Sequence, residues 1–208
     1  MLRKINIILK MLFDYVICFV SILLVSPLLL LISLLIYFED KGPIIFKQKR
    51  IGYKGREFNI YKFRTMCVGA EKIGDGIKVK SKHDPRITKI GSFLRKTSLD
   101  ELPQLINILL GDMSIVGPRP PVTYHPYEGY KNYPENIKKR FDMKPGLTGL
   151  VQVRVRNGVN WEKRFPIDIE YIETFNVLLD LKIILLTAYR VVKPQDIELK
   201  VKPNEGKH

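Results

Sequence analysis

The sequence predicts an α+β fold: a mainly helical, membrane-associated domain with a small β-hairpin, preceded by a re-entrant membrane helix hairpin. Three observations carry that prediction. Tyr15 through Phe38 holds no charged residue over 24 positions. Residues 43–64 alternate partly around a Gly52-Tyr53-Lys54-Gly55 turn. From Ser92 onward, Phe93, Leu94, Leu99, Leu102, Leu105, Ile106, Leu109 and Leu110 recur at helical spacing, with Gly111 as a stop.

Length and charge bound the rest. The 208 residues suit one domain with an added segment, and 46% hydrophobic residues are enough to build a core. Lys and Arg number 35 against 21 Asp and Glu, a net charge of +14 that calls for polyanionic company. Cys18 and Cys67 are the only cysteines, which excludes a disulfide scaffold and any all-cysteine zinc site.

The apolar run exceeds the roughly 20 residues a membrane helix needs, and no small-x-small cleavage site follows it. Ser26-Pro27 lies near its middle, where proline removes a backbone hydrogen bond. Arg3, Lys4 and Lys10 precede the run; Lys41, Lys47, Lys49, Arg50, Lys54 and Arg56 follow it. The proline is compatible with a simple kink in a spanning helix. Basic flanks stay on the cytoplasmic side, and a segment that turns at Ser26-Pro27 and returns satisfies both ends, which favours the re-entrant form. The expected division is a re-entrant anchor over 1–38, a cytoplasmic domain over 39–192 and a charged tail over 193–208. The basic surface is expected on anionic lipids.

Beyond the hairpin, 70–86 reads as a loop. Residues 118–145 hold six prolines with Tyr124, Tyr127, Tyr130 and Tyr133: either a Tyr-rich connection at a membrane boundary or an ordinary surface loop. Val177–Val192 reads as a helix that closes the core or lies in the interface.

Chemistry concentrates at Asp100 and Glu101. Ser98-Leu99-Asp100-Glu101 fits a helix-start capping box, with Pro103 tolerated in the first turn, and this alone accounts for the acids. The basic residues around them add a second reading. Arg95 lies five positions upstream, Gly117-Pro118-Arg119-Pro120 fixes one Arg between prolines, and Lys144, Arg154 and Arg156 follow. Guanidinium groups on rigid backbone suit phosphate. Two carboxylates beside bound phosphates suit Mg²⁺, and a carboxylate is also a competent nucleophile toward phosphorus.

At these residues the chain resembles the bacterial sugar transferase family, the monotopic polyprenyl-phosphate phosphoglycosyl transferases, and its small single-domain members in particular. The matching stretches are Ser26-Pro27, Tyr61-Lys62-Phe63-Arg64-Thr65-Met66 and Ser98-Leu99-Asp100-Glu101-Leu102-Pro103-Gln104-Leu105. They continue through Gly111-Asp112-Met113-Ser114, Val116-Gly117-Pro118-Arg119-Pro120, Lys144-Pro145-Gly146-Leu147-Thr148-Gly149 and Asp180-Leu181-Lys182-Ile183. One stretch departs: Val155 stands where the family has Gly before the Arg-Asn pair, here Arg156-Asn157.

The resemblance implies transfer of a sugar 1-phosphate from a UDP-sugar to polyprenol (undecaprenyl) phosphate with release of UMP. Asp100 would form a covalent phosphosugar intermediate with Mg²⁺ as cofactor. Glu101 would hold the metal or manage a proton. Arg95, Arg119, Arg156, Lys62 and Arg64 would bind substrate phosphates. The implied location is the cytoplasmic face of the bacterial inner membrane, with anionic lipids and downstream glycosyl transferases as partners and no nucleic acid. The alternatives are a membrane-tethered glycosyl transferase releasing UDP and a non-catalytic basic protein of the membrane surface. No Asp-x-Asp motif supports the former. His83 and His125 are isolated, Asp112 reads as a turn cap, and Tyr171 as packing.

Overall fold

The computed structural model describes residues 2–70, 73, 84–155 and 159–192. It is mixed: helices with two small sheets. The chain opens with α1 (Leu2–Glu39), then β1 (Ile45–Ile51), β2 (Glu57–Phe63), α2 (Lys89–Thr97), α3 (Gln104–Leu109) and β3 (Ser114–Val116). After these come α4 (Glu135–Lys138), β4 (Gly146–Thr148), α5 (Leu150–Val155), α6 (Trp161–Thr174) and α7 (Val177–Val192).

The apolar segment is a single helix with Pro27 inside it, where the sequence reading had two arms and a turn. Pro27 cannot donate to the carbonyl four residues back, that of Leu23. The Ser26 hydroxyl donates to this same carbonyl at 2.9 Å, so the helix continues through the proline with its acceptor satisfied. Ile5–Glu39 is long and apolar enough to cross a membrane.

One stripe of α1 packs on the rest of the protein along its length. Lys10, Asp14, Cys18, Ile32 and Ile36 are buried, while Leu12, Phe19, Leu24, Leu30 and Phe38 are exposed. Cys18 joins the main core with Leu105, Ile108, Met113, Tyr171 and Ile183. Ile32 and Ile36 join a second cluster with Phe63 and Leu94. Both halves of α1 therefore meet the same domain. A buried ion pair of 2.6 Å from Lys10 Nζ to Asp180 Oδ2 fixes the first half to α7. Asp14 accepts from the Ser114 hydroxyl at 2.6 Å, and Tyr171 donates to Asp180 at 2.7 Å.

β1 and β2 form the expected antiparallel hairpin, Ile45 opposite Phe63 and Ile51 opposite Glu57. β3 and β4 pair in parallel, Ser114 with Gly146 and Val116 with Thr148.

The helix expected from Ser92 to Leu110 is two helices. α2 starts earlier, capped by Thr88 Oγ1 accepting from Gly91 N–H. It ends at Ser98, whose left-handed φ of 59° turns the chain into a 3-10 helix over Leu99–Glu101. The capping box is thereby corrected: Ser98 makes no side-chain cap there. A residue closing one helix in the left-handed region cannot also present an extended N-cap to the next. Gly111, with φ of 82°, does end the helical run.

The tyrosines of 118–145 divide. Tyr124 is exposed, but Tyr127, Tyr130 and Tyr133 pack with Phe141 and Phe165 in a third, aromatic cluster inside the domain. Edge-to-face pairs with centroids 4.8–5.3 Å apart fill that cluster, which outcompetes a boundary position. α7 has the bounds expected from its spacing, Val177–Val192. Most of the 70–86 loop, His83 and the tail from 193 lie outside the described residues.

Candidate active site

β2 and α3 bring the site together through Asn107, which is fully buried. Its side-chain carbonyl accepts from Tyr61 N–H at 3.0 Å and its amide donates to Asn59 O at 2.8 Å. This stitches α3 to the free edge of β2. Lys62, next in the strand, then faces the 3-10 turn that carries the two acids.

Glu101 is clamped. Its Oε1 accepts from Lys62 Nζ at 2.5 Å and from Arg119 Nη2 at 3.1 Å. Burial works to raise its carboxyl, but Arg119 and Lys62 outweigh burial and hold it at about 2. Asp100 differs: its Oδ2 lies 3.9 Å from Lys62 Nζ, beyond hydrogen-bond reach. Burial pushes its carboxyl above the usual range, Glu101 adds to this, and Lys62 and Arg95 oppose it. Adjacent carboxyls thus have opposite tendencies, the pattern that separates chemical roles at a site.

Arg95 is held at the site by α2. Its Nε donates to Thr65 Oγ1 at 2.8 Å, and a side chain at Gly91 would put a Cβ 2.1 Å from Thr65 O, so α2 seats only with glycine there. Arg119 is fixed by its backbone: Arg140 Nη2 donates to its carbonyl at 2.9 Å. Arg140 is 2% exposed and pairs with buried Asp168 at 2.7 Å.

Arg50 is a member that the sequence reading missed. It donates to Pro120 O at 3.1 Å, and burial, then Arg119, lower its guanidinium to about 10. On β1 it counted only as one of several basic residues after the anchor. Lys62 is likewise lowered, by burial and Arg119 against the pull of the carboxylates. Four cations therefore surround two acids, an excess of positive charge suited to phosphate oxygens.

The other expected residues sit elsewhere. Arg64 contacts Asp40 at the end of α1 through both its backbone carbonyl and its carboxylate. Arg154 is spent on Glu170, at 2.5 and 2.6 Å. Lys144 lies over the Tyr15 ring. Arg156 falls outside the described residues. Ser26 and Pro27 belong to the anchor alone. Among the described residues, no group of three or more His, Cys, Asp or Glu side chains is placed to hold a metal. The donor set at the dyad still fits Mg²⁺, which needs only one or two carboxylates when phosphates and water complete its shell.

Comparison with known proteins identifies the family of the chain. The family model described as bacterial sugar transferase matches residues 5–194. The chain is 41% identical over 194 residues to the UDP-glucose:undecaprenyl-phosphate glucose-1-phosphate transferase of Klebsiella pneumoniae, covering 91% of this chain and 41% of that protein. It is 42% identical over 197 residues to the protein of the same name from Escherichia coli K12, with the same two coverages. The uncharacterized sugar transferase EpsL of Bacillus subtilis is 38% identical over 192 residues, covering 92% of this chain and 91% of EpsL. The chain thus spans about two-fifths of the first two relatives and nearly all of the third. With the match running from α1 through α7, the chain belongs to the bacterial sugar transferase family.

Proposed function

We propose that the protein transfers a sugar 1-phosphate from a UDP-sugar to polyprenol phosphate and releases UMP, through an intermediate covalently bound to Asp100. The observation that carries this is the asymmetry of the dyad: Glu101 is held by two cations, while Asp100 is hydrogen-bonded to neither and is the more basic acid. Basicity favours a nucleophile. The relatives' names supply the substrate classes, a UDP-sugar and undecaprenyl phosphate.

In the first step an Asp100 carboxylate oxygen attacks the β-phosphorus, the bond to the bridging oxygen breaks, and that oxygen leaves on UMP. In the second, a phosphate oxygen of the lipid attacks the same phosphorus, the aspartyl–phosphorus bond breaks, and the carboxylate is restored. Lys62, Arg119, Arg95 and Arg50 neutralise the diphosphate while charge moves to the leaving group. Asp100 and Glu101 would hold Mg²⁺, which supplies further charge neutralisation at the phosphates. A carboxyl held near 2 makes a poor proton acceptor at neutral pH, which favours cation binding for Glu101 over proton handling. The lipid-linked product would feed downstream glycosyl transferases.

The anchor reading is a monotopic one on the cytoplasmic leaflet, with residues 1–38 re-entrant, 39–192 catalytic and 193–208 a tail. Its support is that α1 has both halves tied to one domain: Lys10 to Asp180, and Glu39 to the Ile90 amide. Exposed Ile106 and Leu109 on α3 and Leu110 just after it, with Leu178, Leu181, Leu185 and Tyr189 on α7, add apolar faces to meet the lipid. Splitting the reaction lets a soluble donor and a lipid acceptor use one site in turn.

The test is incubation with a panel of UDP-sugars and polyprenol phosphate while UMP and UDP are followed, with intact-mass detection of a phosphosugar adduct. UMP release and an adduct lost in Asp100→Asn are expected. Release of UDP, or an adduct that survives Asp100→Asn, overturns the reading.

A further inference from the structure

We infer that a cavity beside the site, walled by Trp161, Asn160, Arg164, Phe165, His125 and Tyr127, binds the nucleoside of the donor by stacking its uracil on Trp161. The inference rests on the UDP-sugar reaction proposed above and deepens it. The cavity measures 590 Å³, within the range of small-ligand sites and ample for a pyrimidine nucleoside.

Its wall is linked to the proposed phosphate-binding residues through Arg140. Arg140, which holds the Arg119 carbonyl, lies 5.4 Å from the Trp161 ring centroid and 5.5 Å from that of Phe165. A single buried guanidinium thus joins the Glu101 clamp to the aromatic floor of the cavity. Burial, and after it the positive charge of Arg119, lower the Arg164 guanidinium.

The chemistry of the wall fits a nucleobase. Trp161 stacks on Phe165 at 6.0 Å and meets His125 edge-on, so its ring is held by neighbours. The Arg164 guanidinium lies 5.2 Å from the Trp161 ring centroid and is steadied by its Nε donating to Val159 O at 2.8 Å. Asn160, the residue before α6, makes no cap with its exposed side chain. Its amide offers one donor and one acceptor, the pair that a uracil imide edge requires.

The direction of the reaction decides which end of the donor goes here. Leu99 and Leu102, flanking the dyad, pack against the cluster built on Ile32 and Ile36 of the anchor. The aromatic cluster behind the cavity contains no α1 residue. The sugar phosphate must meet a lipid and belongs on the anchor side. The departing nucleotide must reach water and belongs on the other.

Trp161 is the only tryptophan in the chain, so its fluorescence reports this cavity directly. Titration of the full-length protein with UMP and UDP should quench it saturably, whereas ribose 5-phosphate and pyrophosphate should not. In steady state, Asn160→Ala should lower kcat/KM for the UDP-sugar about tenfold, the scale of one lost hydrogen-bonded edge, and leave kcat/KM for the lipid unchanged. Trp161→Phe keeps an aromatic floor and should abolish the signal while retaining the donor. If the wild type releases UMP yet UMP leaves the fluorescence unmoved, this cavity is not the nucleoside site while the reaction stands. Equal loss toward donor and lipid in Asn160→Ala, or no loss toward either, also overturns it. Quenching in a protein that releases no UMP from any UDP-sugar overturns the reaction instead.

Discussion

Lys62 Nζ stands 3.9 Å from Asp100 Oδ2, near enough to attract the carboxylate and too far to bond it. In the proposed reaction Asp100 would keep its lone pairs for an incoming phosphorus, with the lysine beside the diphosphate oxygens. The first prediction concerns this acid. Asp100→Asn should lower UMP release by about a thousandfold or more and abolish the phosphosugar adduct, with the thermal midpoint little changed. Mass spectrometry and a UMP-coupled assay check both parts.

The second prediction is that the lysine sets the alkaline limit of the proposed reaction. Burial, against the pull of Glu101, lowers its ammonium, so its charge is lost at a lower pH than that of an ordinary lysine. Activity should therefore fall on the alkaline side as Lys62 deprotonates. Lys62→Arg should shift that limb upward, because guanidinium stays charged. A pH–rate profile of the two proteins decides it; an unmoved limb refutes the assignment.

Glu101 gives the acid limit of stability. Its carboxyl is held at about 2 in the folded protein, against an unfolded value of about 4.5. A depressed carboxyl stabilises the fold above the unfolded value, and the benefit is lost as pH falls through the window down to the folded one. Glu101→Gln should lower the thermal midpoint at neutral pH, and the gap to wild type should close between about pH 4.5 and 2. Thermal melts across that range would show the convergence.

Lys10 and Asp180 tie the anchor to α7 in a buried pair, and Tyr171 also donates to the carboxylate. Lys10→Met alone leaves a buried charge behind and should destabilise the protein by about 3 kcal/mol. The double change Lys10→Met with Asp180→Leu should recover much of that loss, since an apolar pair of similar size needs no desolvation. Denaturation in one detergent for all four proteins completes the cycle.

The sequence makes some of this visible and hides the rest for identifiable reasons. Apolar length marks α1, turn composition marks the β1–β2 hairpin, and uninterrupted spacing gives α7 its bounds. Asp100, Glu101, Arg95, Arg119 and Lys62, named from motif and neighbourhood, lie around one dyad. The break at Ser98 was hidden because apolar residues keep helical spacing across it, while a positive φ at a serine leaves no periodic trace. α6 escaped because Pro166 and a charged face dilute its pattern. Arg50, Asn107 and Arg140 were invisible as site residues: each acts through contacts with distant parts of the chain, which spacing along the sequence does not encode.

Asn107 has a further consequence. By bonding Asn59 and Tyr61 it takes the place of a third strand on the outer margin of β2. That margin is closed to pairing with another polypeptide by one carboxamide rather than by a whole strand. For a membrane-associated protein, these two bonds occupy the backbone groups that a strand of a neighbouring copy would need at this margin.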